Sequence, residues 1–356
     1  MHKSDIDTPA LMVDLDLVEA NISRMARFFR DHGVGWRPHT KGQKVPQIAL
    51  MELAAGAQGI TCAKLGEAEV MAAAGIDDIL IANQVVGPQK ASRLGTLLES
   101  ADVMVAVDDL DNARELSQTM SKAGHTLRVL IEVDNGMHRA GVASGEPTVA
   151  LARAIAALPG LRFCGLMAWE AHCLGLPMDE RAVCCHDAVD VLVASADQCR
   201  AAGLDVEIIS CGGTGTFQIT AGIKGVTEIQ AGGGIFCDVL YESWGVHHPF
   251  ALRVSSTVTS HPVPNRLVTD AGRKALSVDI AEPRPVGIEH VAGVRLGAEH
   301  GIIDLAQPND DIRVGDKIEW IVGYGDTTVC LHDEMIAVRG DRVEVIWPIL
   351  ARGKLS

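Results

Sequence analysis

Two kinds of residue in this chain could do chemistry together: lysines at the ends of apolar segments, and two glycine-rich turns. The segment RPHTK ends with His39 and Lys41, and the glycines lie in SCGGTGT (210–216) and QAGGG (230–234). Consecutive glycines let backbone N–H groups converge on an anion such as a phosphate. A lysine facing a phosphate cradle is what a Schiff-base cofactor requires, because the phosphate anchors the cofactor and the amine bonds its aldehyde.

The pattern alone does not choose the lysine. Lys64 ends an apolar segment as well, and an exposed loop lysine would fit the sequence at either place. Other polar side chains follow further apolar segments, among them Arg139 in VDNGMHRAG and Glu170 and His172 in WEAH. An imidazole suits proton transfer near neutral pH, although a solvated loop histidine explains His172 equally well.

Apolar segments that alternate with helical segments must position these residues. Between about 36 and 234, stretches such as LGEAEVMAAAG and DNARELSQTMSKAG have apolar residues at helical spacing and end in glycine. Eight strands with seven intervening helical segments predict a parallel (β/α)₈ barrel, whose active face is formed by the strand C-termini. The predicted strands are 35–41, 59–64, 78–83, 102–108, 128–134, 162–169, 206–213 and 227–234.

The sequence changes character after about residue 250. Segments such as DKIEWIVG, TVCLHDEMIAVRG and RVEVIWPI alternate apolar with polar residues and are separated by turn residues, which predicts antiparallel strands. The predicted organisation is therefore an N-terminal strand segment (1–20) that joins the β domain, a barrel (21–248) and a C-terminal β domain (249–356).

Composition excludes some classes of partner. A net charge of −15 argues against nucleic acids and anionic membranes, which need clustered positive charge. We find no apolar run of membrane-spanning length and no signal-peptide pattern in MHKSDIDTPALMVDLD, so a cytoplasmic protein is expected. The nine cysteines have no CxxC or zinc-ligand spacing and are expected to be reduced, buried thiols.

Taken together, the motifs of the chain resemble the D-threonine aldolase and D-serine dehydratase family, in that family's order and over nearly the whole length. This family consists of fold-type III pyridoxal-phosphate (PLP) enzymes, which have an alanine-racemase-like barrel and a C-terminal β domain and are generally homodimers. The motifs are DTPALMVDLD, RPHTKGQK, TCAKLGEAE, VDNGMHRAGV, SCGGTGT, VTDAGRKALS, AEHGI and GDTTVCLHDEMIAVRGDRVEVIWPILARGK.

The resemblance implies roles for individual residues. It implies that Lys41 carries PLP, with His39 beside it, and that Arg139 lies near the cofactor ring. It also implies that Trp169, where relatives often have tyrosine, stacks on the ring or lines the pocket. The residues that it places near the phosphate are Thr214, Gly215, Gly233 and Gly234.

One position departs from the family pattern. Many relatives hold a divalent metal through a His-x-Asp or His-x-Cys pair just before a TTVNLHDE-like run, where the metal would lower the pKa of the substrate's β-hydroxyl group. In this chain the matching residues are Tyr324 and Asp326. A neutral phenol is a poor ligand for a hard divalent ion. We therefore expect weak or absent dependence on Mn²⁺ or Mg²⁺, with Asp326 as the remaining ligand and His332, Asp333 and His300 as possible helpers.

Tyr324 itself has three interpretations: a packed interface residue, a hydrogen-bond donor to the substrate, or a base whose pKa a nearby cation lowers. The leading prediction for the chain is cleavage of a β-hydroxy-D-α-amino acid, such as D-threonine, to glycine and an aldehyde, with His172 or Tyr324 assisting. Alternatives are β-elimination to an oxo acid and ammonia, or racemisation with Lys41 and Tyr324 on opposite faces of the cofactor. A non-enzymatic PLP carrier is disfavoured by the extra β domain.

Overall fold

The computed structural model describes residues 1–356 and divides the chain into two compact units. The first comprises Met1–Arg24, Gly42–Val45 and Gly233–Arg352, and the second comprises Met25–Lys41, Pro46–Gly232 and Gly353–Ser356. None of the helices has the length and the hydropathy needed to span a membrane.

Strands and short or medium helices alternate along the chain. The strands are β1 Ala10–Asp14, β2 Gly35–Trp36, β3 Ile60–Cys62, β4 Asp78–Gln84, β5 Asp102–Val107, β6 Leu127–Asp134, β7 Val142–Ala143, β8 Leu161–Met167, β9 Ile208–Cys211, β10 Glu228–Ile229, β11 Leu252–Val263, β12 Arg266–Thr269, β13 Arg284–Pro285, β14 Val291–Leu296, β15 Gly301–Leu305, β16 Lys317–Ile321, β17 Glu334–Arg339 and β18 Arg342–Pro348. The α-helices are α1 Leu15–His32, α2 Pro46–Ala54, α3 Leu65–Ala73, α4 Pro88–Leu97, α5 Leu110–Ala123, α6 Glu146–Ala156, α7 Met178–Ala201, α8 Phe217–Thr220, α9 Val239–Ser243 and α10 Gly325–Val329.

The second unit is built on a parallel sheet in the order β2-β10-β9-β8-β6-β5-β4-β3, with β7 beside β6. The chain that follows β2 also reaches β3: Gln58 N donates to Trp36 O at 2.9 Å, and Thr61 N donates to Pro38 O at 2.8 Å. The two ends of the sheet therefore meet, as in a barrel. This result confirms the predicted alanine-racemase-like barrel.

Local sequence explains where the barrel helices begin and end. In α5 the Asp109 side chain caps the N-terminus by accepting from Asp111 N and Asn112 N, both at 2.9 Å. The helix stops at Gly124, whose φ of 76° is left-handed and suits glycine. Strand β5 before it is fully buried from Val103 to Val107, which matches a strand covered on both faces.

The first unit contains an antiparallel-rich sheet in the order β14-β15-β12-β11-β1-β17-β18, to which β16 adds on β11 and β13 on β16. The N-terminal strand β1 pairs antiparallel with β11 and parallel with β17. The predicted C-terminal sheet therefore also includes a strand from the beginning of the chain.

Three details differ from the sequence-based expectations. The segment 35–41 forms only the two-residue β2, followed by a 3₁₀ turn at Thr40–Gly42, and TVCLHDEMIAVRG begins in helix α10 before strand β17. The expectation that the cysteines are all reduced was wrong, because Cys173 and Cys184 form a disulfide. The turn after β8 brings Cys173 against α7, a contact that sequence spacing does not show.

Candidate active site

In the barrel unit, Lys41 lies in the 3₁₀ turn Thr40–Gly42, beyond the C-terminal end of β2. His39 N donates to Gln230 O at 3.1 Å, and the ring nitrogen Nδ1 of His39 accepts from Lys41 N at 3.3 Å. A Cβ on Gly232 would overlap the His39 backbone, so the QAGGG turn can approach this strand only with glycine there. The lysine is thus held where the ends of neighbouring strands meet.

A buried carboxyl group holds the glycine-rich turn that follows β9. Thr216 Oγ1 donates to Glu170 Oε1 at 2.6 Å, and Gly212 N donates to Glu170 Oε2 at 3.4 Å. Burial raises the pKa of Glu170 to about 7, although these hydrogen bonds oppose the rise. Thr214 and Gly215 lie in the middle of the turn that this carboxyl group secures.

Trp169, the residue before Glu170, packs directly on the same turn. A Cβ on Gly213 would overlap the six-membered part of the Trp169 indole ring. Gly212 has a φ of 74°, in the left-handed region that favours glycine. The indole and the turn therefore form one packed surface at the C-terminal ends of β8 and β9.

Arg139 lies just beyond β6 and is anchored by a carboxylate on that strand. Its Nη2 donates to Glu132 Oε1 at 3.1 Å, and Glu132 Oε2 accepts from Gln84 Nε2 at 2.6 Å. Glu132 is buried, whereas about half of the Arg139 side chain is exposed. The guanidinium group is therefore fixed at one end and accessible at the other.

His172 lies on the 3₁₀ turn Ala171–Cys173 beyond β8 and is exposed. A Cβ on Gly136 would lie 3.3 Å from its Nε2, so the ring packs against the loop that follows β6. The barrel unit therefore gathers His172 and Arg139 on neighbouring strand ends, β8 and β6.

In the first unit, Gly233 and Gly234 begin the 3₁₀ turn Gly233–Ile235. The Tyr241 ring covers Gly233, where a Cβ would overlap it. His248 Nδ1 lies 2.8 Å from Gly234 O, a contact that holds the turn from the other end.

Tyr324 belongs to a hydrogen-bonded group in the same unit. Its hydroxyl donates to Asp326 Oδ2 at 2.8 Å, and the Tyr241 ring contacts it edge to face at 6.1 Å between centroids. Burial and the Asp326 charge raise the pKa of Tyr324 well above its usual value. This direction is opposite to the one that a tyrosine base would need.

The Asp238 carboxyl group helps to hold this group together through hydrogen bonds. It accepts from Tyr241 N and from Gly325 N, both at 2.8 Å, and it is almost fully buried. Burial raises the pKa of Asp238 to about 7. Asp238 therefore ties α9, which carries Tyr241, to the start of α10, which carries Asp326.

The donor set around Asp326 does not fit a hard divalent metal ion. One carboxylate oxygen accepts from the neutral Tyr324 phenol, and the other lies against Gly42. Two of the three possible helper residues have other partners: His332 Nε2 lies 2.9 Å from Ala275 O, and Asp333 pairs with Arg352. Such ions prefer several carboxylate, carbonyl or water oxygens.

Three residues of these clusters were not predicted from sequence: Glu170, whose strand-end position was noted without a role, Asp238 and Tyr241. Each is polar and lies within or beside an apolar run, as in GIFCDVLY. A polar residue at a position expected to be buried is the one sequence signal that could have found them.

Comparisons with known proteins show the family to which the chain belongs. Residues 13–238 match the family model "Alanine racemase, N-terminal domain", and residues 251–338 match "Putative serine dehydratase domain". A D-threonine aldolase of Arthrobacter sp is 38% identical over 98% of this chain and 93% of its own length. A 3-hydroxy-D-aspartate aldolase of Paracoccus denitrificans (strain Pd 1222) is 34% identical over 99% of this chain and 94% of its own.

One solved structure has a fold very similar to that of this chain. The crystal structure of D-threonine aldolase from Filomicrobium marinum has a TM-score of 0.95 and 37% identity, and the match covers 98% of this chain and 97% of that one. The fold and the strand-end site define an enzyme of the alanine-racemase-like class. Within that class, the chain belongs to the family of PLP-dependent lyases that includes the D-threonine and 3-hydroxy-D-aspartate aldolases.

Proposed function

We propose that the protein cleaves a β-hydroxy-D-α-amino acid, with D-threonine as the model substrate, to glycine and an aldehyde. The observation that carries the proposal is Lys41 just beyond the end of the first barrel strand, in a chain 38% identical to a D-threonine aldolase over nearly its whole length. PLP, when bound, accepts the electron pair that the breaking Cα–Cβ bond leaves on Cα.

The residues present fit PLP. Gly213 and Gly232 allow the Trp169 ring and the His39 backbone to pack closely on the two glycine-rich turns, and Lys41 provides an amine in the 3₁₀ turn beyond the first barrel strand. In the proposal Lys41 bonds the cofactor's aldehyde, His39 orients the lysine, and Arg139 and Trp169 face the ring. The phosphate is assigned to the backbone of Thr214, Gly215, Gly233 and Gly234.

His172 is the proposed base. Its exposed imidazole takes the proton of the substrate's β-hydroxyl group as the Cα–Cβ bond breaks and the aldehyde forms. A proton returned to Cα completes glycine. The Tyr324 phenol is kept neutral by burial and by Asp326, and we assign it the role of hydrogen-bond donor to the substrate, for which its O–H would turn away from Asp326.

The test follows glycine and aldehyde by proton NMR, using the PLP-loaded protein with D-threonine and with D-3-phenylserine. Lys41→Ala should abolish glycine formation and the cofactor's absorbance, whereas Lys64→Ala, the matched strand-end lysine, should keep both. Equal loss in the two variants would mean that the cofactor lysine is misassigned.

Elimination is the second candidate, since the C-terminal family model carries a dehydratase name. It would release ammonia and an oxo acid, so ammonia without glycine from either substrate would replace the aldolase assignment. Racemisation would release neither. It is the weaker alternative, because the raised pKa of Tyr324 disfavours a tyrosine that removes protons.

We further propose that cleavage does not depend on Mn²⁺ or Mg²⁺. The chain's own donor set at Tyr324 and Asp326 supports this proposal. Tyr324→His should increase manganese binding, while Tyr324→Phe should not. Tight stoichiometric manganese in the wild-type protein would contradict it.

We also propose a homodimer, as the resemblance implies, and a cytoplasmic location, as the sequence pattern led us to expect. Sedimentation of the purified protein at micromolar concentration should give twice the mass of one chain. A single-chain mass would refute the dimer.

A further inference from the structure

One cluster of chemically reactive side chains includes His172, and its two other members, both cysteines, have no role in the proposed reaction. His172, Cys173 and Cys184 lie in the barrel unit, and their ligand atoms are all within 4.8 Å of one another. Cys173 is fully buried on the 3₁₀ turn after β8, and Cys184 lies in α7. The two cysteines are joined as a disulfide, with their Cα atoms 5.7 Å apart.

We infer that reduction of the Cys173–Cys184 bond turns this cluster into a binding site for a soft divalent cation, of which Zn²⁺ is the best match. Thiolate sulfur and imidazole nitrogen are the ligands that zinc prefers in proteins. A disulfide offers no thiolate, so the site exists only in the reduced protein. Three protein ligands leave a fourth tetrahedral position open.

The chemistry balances with a dithiol as reductant. The dithiol supplies two electrons and two protons, the sulfur–sulfur bond breaks to give two thiols, and the dithiol closes to its own disulfide. Zinc then displaces both thiol protons to solvent and binds neutral His172 through a ring nitrogen. Zinc binds sulfur at about 2.3 Å, so ligand atoms that already lie within 4.8 Å of one another need little rearrangement to share one ion.

The surroundings favour a cation. Glu180 lies one helical turn before Cys184 and Asp187 about one turn after it, so all three project from the same face of α7. Both carboxylates line the groove that His172 and Cys184 also line. Their negative charge lowers the energy of a bound cation, and Glu180 or a water molecule can fill the fourth position.

The site would compete with catalysis. This consequence rests on the proposed function, in which His172 accepts the β-hydroxyl proton. An imidazole nitrogen that is bound to zinc cannot accept a proton, so zinc should inhibit the reduced enzyme and leave the disulfide form active. The disulfide would then protect activity against zinc.

The first measurement counts thiols in the denatured protein. Protein never exposed to reductant should show seven of the nine cysteines as free thiols, and reduced protein nine. The PLP-loaded protein is then reduced with a dithiol, desalted without oxygen and titrated with Zn²⁺ against a chromogenic chelator. The reduced form should take up one more zinc ion per chain than the oxidised form.

Variants and a spectroscopic probe assign that zinc. Cys184→Ser should abolish the extra zinc, whereas Cys330→Ser, a cysteine of the same intermediate exposure, should keep it. Co²⁺ in place of zinc should give the charge-transfer absorbance of thiolate ligands in the reduced protein, and His172→Ala should change that spectrum. Because these readouts need no turnover, they hold even if the protein forms no glycine.

Three outcomes would overturn the inference. They are equal zinc uptake by the reduced and oxidised proteins, unchanged uptake in Cys184→Ser, and nine free thiols in protein never exposed to reductant. If Cys184→Ser does not fold, the absence of thiolate-to-cobalt absorbance in the reduced wild-type protein decides against the site equally well.

Discussion

Glu170 is a fully buried carboxyl group, and this burial raises its pKa to about 7 from an ordinary value of 4.5. The folded protein therefore binds this proton more tightly than the unfolded chain does. The resulting stabilisation is complete below about pH 4.5 and is lost as the pH rises through about 7. We expect this group to lower the free energy of unfolding by about 3 kcal/mol across that window.

Glu170→Gln removes the titration but retains an oxygen that can accept from Thr216. Urea unfolding of the variant between pH 5 and 8 should therefore show a flatter pH dependence than the wild type. Infrared difference spectra at pH 6 should lose the carbonyl stretch of one protonated carboxyl group. Asp238, whose pKa is also raised to about 7, remains as an internal reference. Identical pH profiles for the two proteins would contradict the buried, protonated state.

At this scale the sequence showed residue identities but not their contacts. The departure at Tyr324 could be identified from the sequence only through the family resemblance. That Tyr324 donates to Asp326, and that burial keeps its phenol neutral, depends on α9 and Asp238 packing beneath it. Similarly, Lys41 and Lys64 both follow apolar segments, and only the resemblance distinguished them.

At the scale of secondary-structure elements, the residue that follows β8 shapes the glycine-rich turn that follows β9, because Trp169 fills the space beside Gly213. Gly213→Ala must displace the indole ring, and overpacking of this kind costs about 1–3 kcal/mol. If the cost falls on the cofactor-bound form, PLP should bind roughly 5- to 150-fold more weakly in an absorbance titration. Gly222→Ala is the matched control in the same segment, since its new Cβ would have only Ile219 O near it, at 3.6 Å. Equal affinities for the two variants would refute the packing argument.

A buried ion pair links the first and last barrel strands. Arg37, just after β2, donates through Nε to Glu228 on β10 at 3.0 Å, and both residues are almost fully buried. Glu228→Gln leaves the guanidinium group with Asp78 as its remaining charge partner, so the cost should fall below the roughly 3–5 kcal/mol of a buried charge left unpaired but exceed that of an exposed pair. The exposed pair Arg162–Glu207 provides the comparison, because Glu207→Gln should cost less than about 1 kcal/mol.

Urea unfolding at neutral pH measures both variants. Similar midpoints for Glu228→Gln and Glu207→Gln would mean that the buried pair contributes no more to the free energy of unfolding than the exposed pair does.

Element type was predictable wherever hydrophobic periodicity was strong, as in α5 and β5. It failed where tertiary contacts decide. The predicted strand at 35–41 is shortened because residues 40–42 turn into a 3₁₀ helix that presents Lys41. Helix α10 was missed because TTV has the β-branched composition of a strand. The disulfide was missed because its cysteines are eleven positions apart in the chain and a turn lies between them.

For the whole molecule, the fold was predicted mainly from the order of strands and helices along the chain and from the change of pattern after residue 250. Alternating strands and helices imply a parallel barrel, and a change to alternating patterning after residue 250 implies a second unit. The pairing of β1 with β11 and β17 joins residues more than 200 positions apart. The strand-like character of TPALMVDLD suggested only that this segment could join the β domain, without its pairing partners. The two units recombine distant segments of chain, so their boundaries could be placed only approximately.

Cofactor binding should stabilise the whole molecule by mass action, because PLP binds the folded chain through groups that the unfolded chain does not assemble. At a hundredfold excess over its dissociation constant, a ligand of this kind adds about 2.7 kcal/mol to the free energy of unfolding. Removal of PLP should therefore lower the thermal midpoint. Pyridoxal, which lacks the phosphate, should restore little of the loss, and PLP should restore less in Lys41→Ala than in the wild type. Equal recovery with pyridoxal would contradict the phosphate-binding role of the glycine turns. Equal recovery in Lys41→Ala would contradict the covalent role of the lysine.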